Sequence, residues 1–228
     1  MGTHAGNRIE TVFLSSKVPG FLLLVTALSL TLFDCADTQL PLPDGSSVVL
    51  SEGTYFHRYS NMEFPERVGG FQRKRLVTYD PEEQHLSVRY DLVTSGRDVA
   101  ATIFVYPCAD TGDDSNNQDQ HHFDALKVHI MKDHPEAALV YEGEVKFRRA
   151  GEIRRGKMAS FKFTDVFAYG VERLLSHVYL FRNDKWFIEF RITYPQVQHD
   201  AVVDEVNKFL SSFQKASGKE WLKYGVEE

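Results

Sequence analysis

The segment Lys185–Tyr194, reading KWFIEFRITY, constrains the fold more than any other part of the chain. Trp186, Ile188, Phe190, Ile192 and Tyr194 alternate with Lys185, Glu189, Arg191 and Thr193, so one face is continuously apolar. A two-residue period of this length belongs to a strand with one buried side. Pro195 ends it. A helix is expected over Asp200–Phe213, where Val202, Val206, Phe209 and Phe213 recur at helical spacing. The strand's apolar face and the helix's apolar stripe are expected to meet. Arg191, on the other face, is expected to lie against water.

The same pattern runs through the rest of the chain. Further strands are expected at Ser47–Glu52, Phe71–Tyr79, Gln84–Val93, Asp98–Tyr106, Tyr141–Arg149, Gly156–Thr164 and Val171–Arg182. In Gln84–Val93, Leu86, Val88, Tyr90 and Leu92 share one face, and His85, Ser87, Arg89 and Asp91 the other. Asp98–Tyr106 is apolar on both faces and is therefore expected to be central and covered. Turns are marked by Gly69-Gly70, Pro81–Glu83, Ser95-Gly96 and Asn183-Asp184. A second helix, Gln118–Asp133, carries Phe123, Leu126 and Ile130 on one stripe. Both halves run strands, then Tyr-Pro, then a polar linker, then a helix. The class expected is α+β: a largely antiparallel sheet with two helices packed on one face.

Four parts are expected: an export signal or hydrophobic segment over 1–36, a linker and first strand over 37–63, one α+β domain over 64–215, and a tail over 216–228. Phe21–Phe33 carries no charge and follows Arg8 and Lys17, which is the pattern of a secretory signal. The run is short for a membrane-spanning helix, which needs about 20 apolar residues. Export to the periplasm or the exterior is therefore expected, with membrane contact only if the segment is retained. Cleavage or modification at Cys35 is left open. Cys35 and Cys108 are too few for a disulfide framework, and Cys108 beside Asp110 lacks the cationic neighbours of a reactive thiol.

The order of elements, with the signal ahead of them, resembles the fold of PsbP, an extrinsic subunit of photosystem II. The stretches FPERVGGFQR, VAATIFVYP and KWFIEFRITYP resemble bacterial exported proteins of the same layout. The resemblance spans roughly Phe64–Phe213. It implies a fold; it brings no chemistry, and no oxygen-evolving role is implied.

A net charge of −6 argues against a duplex nucleic-acid binder. None of the G-x-S-x-G, phosphate-loop or dinucleotide motifs occurs, and no cofactor is expected. Ser176 and His177 are adjacent and therefore fall on opposite faces of their strand. The helix holds His121, His122 and His129, with His134 just beyond it. His129 and Asp133 are four apart and share a face, making them the candidate metal pair. Asp110–Asp119 is acidic but lacks the ligand spacing of a calcium loop. The basic stretches are Arg73–Arg75 and Lys146–Lys157, which suit either an anionic ligand or the protection of sheet edges. The ligand-binding candidates are Arg73, Arg89 and Arg191. The function favoured is a non-catalytic binding or interaction module of the cell envelope, meeting an unknown protein or small ligand. The alternatives are a metal or small-ligand binder using the His-rich helix, and a hydrolase without a recognisable motif.

Overall fold

The computed structural model describes residues 38–94, 97–108, 115–149 and 152–215. The export segment with Cys35, the Ser95-Gly96 turn, Asp110–Asp114 and the tail from Ser217 lie outside the described residues. All the elements below belong to the unit Ala36–Glu228.

The strands are β1 (Thr38–Pro41), β2 (Ser47–Leu50), β3 (Tyr55–His57), β4 (Met62–Phe64), β5 (Arg67–Val68), β6 (Phe71–Thr78), β7 (Leu86–Thr94), β8 (Arg97–Pro107), β9 (Ala138–Arg149), β10 (Glu152–Phe167), β11 (Gly170–Asn183) and β12 (Trp186–Pro195). The helices are α1 (Ser115–Asp133) and α2 (His199–Lys215). Among the described residues, ten strands form one antiparallel sheet in the order β1-β2-β6-β7-β8-β12-β11-β10-β9, with β5 added against β6. The pair β3–β4 forms a separate hairpin. The stretch 37–63, expected as linker and first strand, thus carries β1 to β3 from Thr38 onward and the start of β4, which crosses the expected boundary at Phe64.

Two meanders, β6-β7-β8 and β9-β10-β11-β12, are joined where β8 pairs with β12. β8 therefore lies deep within the sheet, as expected, although on one of its faces Thr102 and Phe104 are only half-buried.

The expected α+β class, with both helices on one face, is overturned. One large antiparallel sheet dominates the molecule, and the helices lie on opposite faces of it. Val202, Val206, Phe209 and Phe213 of α2 pack with Phe71, Tyr90, Phe190 and Ile192. Phe123, Leu126 and Ile130 of α1 pack with Phe161, Phe163, Leu174, Val178 and Phe187. The cause is β11, where every residue from Leu174 to Phe181 is buried. Alternate members of that run point to opposite faces: Tyr179 and Phe181 join the α2 core, while Val178 and Leu180 join the α1 core. A strand apolar on both sides needs a cover on each.

On the α2 face the β3–β4 hairpin completes the cover. Tyr55, Met62 and Phe64 join the core there, and Phe64 packs on Phe213 with ring centroids 5.9 Å apart. His57 of the hairpin is buried. Its Nδ1 lies 2.6 Å from Ser60 Oγ and its Nε2 is 2.9 Å from the Glu83 carbonyl. None of the described helices is long and apolar enough to cross a membrane.

Candidate functional site

On the opposite face, α1 covers β10 and β11 and leaves the adjoining part of β7, β8 and β12 open. Strand register arranges this open floor in rows. Arg89 and Arg191 stand on either side of Thr102. Ser87 and Glu189 flank Phe104 in the next row, and Asp91 and Thr193 flank Ala100 in the row beyond. Neighbouring strands lie about 4.8 Å apart, so the two arginines originate roughly 10 Å from each other.

The β10–β11 hairpin, Asp165–Tyr169, raises one wall, together with His134 beyond the end of α1. His134 stacks on Phe163 at 4.0 Å, and its Nδ1 lies 3.3 Å from Asp165. Floor and wall enclose a groove of about 650 Å³. At its lip Tyr169 is 86% exposed and Val166 72%.

Beside the groove floor runs a polar chain of half-buried side chains centred on one buried carboxylate, Glu189. The Glu189 side chain is only 2% exposed although it is ionisable. Arg191 Nε donates to Glu189 Oε1, and the Arg191 guanidinium lies 5.1 Å above the Phe104 ring. Tyr106 Oη donates to Glu189 Oε2 at 3.0 Å. Tyr106 has one proton and gives it to Glu189. The 2.6 Å contact with His122 is therefore donated by His122 Nε2–H. Burial holds the His122 pKa below the ordinary histidine value, favouring the neutral ring that this tautomer requires. Burial, with Glu189 beside it, pushes the Tyr106 phenol well up.

Arg191 is thus not a side chain simply facing water, as its alternation suggested. It is one half of an ion pair whose other half is buried. Both groove arginines come already paired, Arg89 with Asp91 at 2.5 Å and Arg191 with Glu189. Arg73 belongs to the other face. Its guanidinium donates to the carbonyls of Phe64 and Ser51, at 2.7 Å to the latter, tying the β3–β4 segment to β6. Of the three candidate arginines, the fold therefore brings together two.

His129 and Asp133 do meet, with Nδ1 3.6 Å from Oδ2, and both are exposed. Among the described residues no group of three or more His, Cys, Asp or Glu gathers around a common point for a metal. His122 is turned away into the Tyr106 chain, and Asp119, expected in the acidic loop, lies within α1 and binds Arg182 at 2.6 Å. Of the second basic stretch, Arg155 pairs with Glu144 at 3.2 Å, and Lys157 donates to Gln120.

A second polar chain escaped the sequence reading. Ser176 and His177 do point apart: Ser176 Oγ meets Thr193 Oγ1 at 2.8 Å. His177 instead meets Ser160 of the neighbouring strand, 2.7 Å from Oγ to Nδ1. His177 Nε2 lies 2.8 Å from Tyr194 Oη, which lies 2.9 Å from His199 Nδ1. Ser160 and His177 are both buried, so this hydroxyl–imidazole contact offers no approach to a substrate. The available signal was the tight β10–β11 turn: pairing Phe167 with Gly170 leads, residue by residue, to Ser160 opposite His177. Burial also pushes the Cys108 thiol up to about 11, away from nucleophilic chemistry.

No protein-family model and no curated protein matches the sequence. Among solved structures, the chain is similar to cyanobacterial PsbP (CyanoP) from Synechocystis sp. PCC 6803. Identity is 12%, 82% of this chain and 92% of that chain are covered, and the TM-score is 0.40. It is also similar to the Ran-binding protein Mog1p of Saccharomyces cerevisiae. There identity is 12%, coverage 79% of this chain and 88% of that chain, and the TM-score 0.29. PsbP, whose resemblance was noted in the sequence, is thus among the solved structures to which the chain is similar.

Proposed function

We propose that the chain is a non-catalytic binding module that seats a segment of a protein partner in the groove over β7, β8 and β12. The observation that carries this reading is the construction of the floor. Two arginines flank Thr102, each held by its own carboxylate, beneath a lip that leaves Tyr169 in solvent. Paired arginines leave little net charge to attract a simple ion. Fixed hydrogen-bonding side chains beside Phe104 and an exposed tyrosine suit a chain of mixed polar and apolar character. Tyrosine and arginine are the residue types that dominate binding at protein interfaces. Arg89 and Arg191 are the proposed ligand-binding residues. Export of the module is part of the same proposal and is supported by the uncharged run Phe21–Phe33 behind Arg8 and Lys17.

Photo-crosslinking in the native cell tests both parts. Tyr169→benzoylphenylalanine is expected to give a discrete protein adduct that Arg89→Glu removes. The same probe at Val128, 61% exposed on α1, is expected to give no such adduct. No adduct from position 169, or the same adducts from both positions, would overturn the groove assignment. The mass of the recovered chain is expected to fall short by about 35 residues. A full-length mass would remove export by a cleaved signal.

A further inference from the structure

The sheet ends at β9, and among the described residues no strand lies beyond it. We infer that this edge pairs with β9 of a second copy of the chain, antiparallel, about a two-fold axis through Val145.

The argument begins with the edge itself. An open strand presents unpaired N–H and C=O groups, and proteins commonly protect such strands with charge. Protection by charge works best when the charges share one sign. Here they do not: Glu142 and Glu144 come first, then Lys146 and Arg148. Glu142, Glu144 and Lys146 are exposed, and in a strand their alternate positions fall on one face. Within the chain Glu142 also meets Lys127 at 2.7 Å and Glu144 meets Arg155 at 3.2 Å, contacts that a facing cation would share. Antiparallel pairing with a second copy reverses the order and sets the acidic end against the basic end. Of the axes within the charged run, Gly143 to Phe147, only the one through Val145 opposes no like charges.

Backbone geometry narrows the choice. Alternate residues of β9 turn their hydrogen-bonding groups toward β10, and those between turn them outward. Antiparallel self-pairing must match outward residues with outward residues, so the two-fold axis passes through a residue and never between two. An axis through Gly143 sets Glu142 opposite Glu144. One through Glu144 sets that residue opposite its own copy, and one through Lys146 does the same for lysine. The axis through Val145 sets Glu144 opposite Lys146 and Glu142 opposite Arg148, each twice, and opposes no like charges. Opposite charges facing each other across strands stabilise a pair, and like charges destabilise it. The symmetric, self-complementary contact that results is the form a two-fold dimer requires. The free apolar side chains of Leu139, Val140 and Tyr141 lie beside the proposed seam, where a second copy would cover part of them.

Register-specific crosslinking of the full chain, with Cys35→Ser and Cys108→Ser, tests this. Glu144→Cys and Lys146→Cys are made as separate variants. Facing residues in an antiparallel pair lie about 4.5–5.5 Å apart, within disulfide reach. Oxidised together, the two variants are expected to form a covalent dimer; oxidised alone, neither is. Dimer from Glu144→Cys alone would place the axis at that residue, and dimer from Lys146→Cys alone would place it there; either result overturns the inference. In sedimentation equilibrium, Glu144→Lys is expected to weaken self-association by at least about tenfold. Adding Lys146→Glu, which restores opposite charges, is expected to recover it. A chain that stays monomeric at every concentration, or a dimer indifferent to both substitutions, would overturn the proposal.

Discussion

Phe190→Ala is expected to lower the free energy of unfolding by about 3–5 kcal/mol, the upper range for removing a large aromatic from a core. Phe190 is 1% exposed and lies between Ile103 of β8 and Tyr179 of β11 in the register of the sheet. Its ring meets Phe181 edge-on at 5.9 Å and Phe213 at 6.1 Å. The strand is held on both sides by hydrogen-bonded neighbours, and α2 closes the third side. The surroundings therefore have little freedom to collapse into the cavity. Urea unfolding of this variant, beside Val166→Ala at the exposed hairpin tip, reads the difference. The tip variant is expected to stay within about 0.5 kcal/mol of the parent. An unchanged midpoint for Phe190→Ala would mean that α2 does not seal that face.

The second large effect is acid sensitivity. Burial between β10, β11 and β12 lowers the His177 pKa from 6.5 to about 4. In the folded chain the ring stays neutral through a range in which the unfolded chain has already taken up a proton. This contribution to stability is fully present above pH 6.5. It is lost as the pH falls through the interval down to about 4. A displacement of this size corresponds to about 3 kcal/mol. Burial shifts His57, His85 and His122 in the same direction, so they add to the loss in the same window. The lowered carboxylates Asp44 and Asp124 start from an ordinary value of 3.8 and therefore lose their contribution at lower pH. Urea midpoints at pH 7.5 and 4.5 are expected to separate widely for the parent and less for His177→Gln. Equal separations would show that His177 does not carry the effect.

Much of the secondary structure was legible because burial repeats with a period. Trp186, Ile188, Phe190 and Ile192 were assigned to one face by alternation, and the strand meets α2 through Val206, Phe209 and Phe213 on that face. Phe123, Leu126 and Ile130 likewise marked the buried stripe of α1. Periodicity tells which residues of one element share a face; it does not tell which element covers that face. Leu174–Phe181 is apolar on both sides and satisfies the pattern with either helix above it, so the two-sided arrangement stayed hidden. Glu189 shows the same limit at the scale of one side chain. A glutamate in alternation marks the wet face by default, and Arg191 together with Tyr106, the latter brought alongside from a strand distant in sequence, makes its burial tolerable. Arg89 and Arg191 could be named from sequence as polar-face residues. Their meeting across Thr102 depends on β8 lying between β7 and β12, which no local pattern encodes.

The junction of β8 with β12 also sets the order in which the chain can be assembled. Within each meander, strands pair with near neighbours in sequence, across short loops that close quickly. Pairing Ile103 with Phe190 instead requires the whole of α1, β9, β10 and β11 to be drawn together first. Closing a long loop costs entropy before any contact repays it, and folds rich in distant pairings are slow to form. The two hairpin systems are therefore expected to gain amide protection early in refolding, and the β8–β12 amides late, in pulsed hydrogen exchange. Protection of β8–β12 ahead of β10–β11 would reverse that order. Until the junction closes, the edges of β8 and β12 stand open together, which makes this interval of refolding the one most exposed to aggregation.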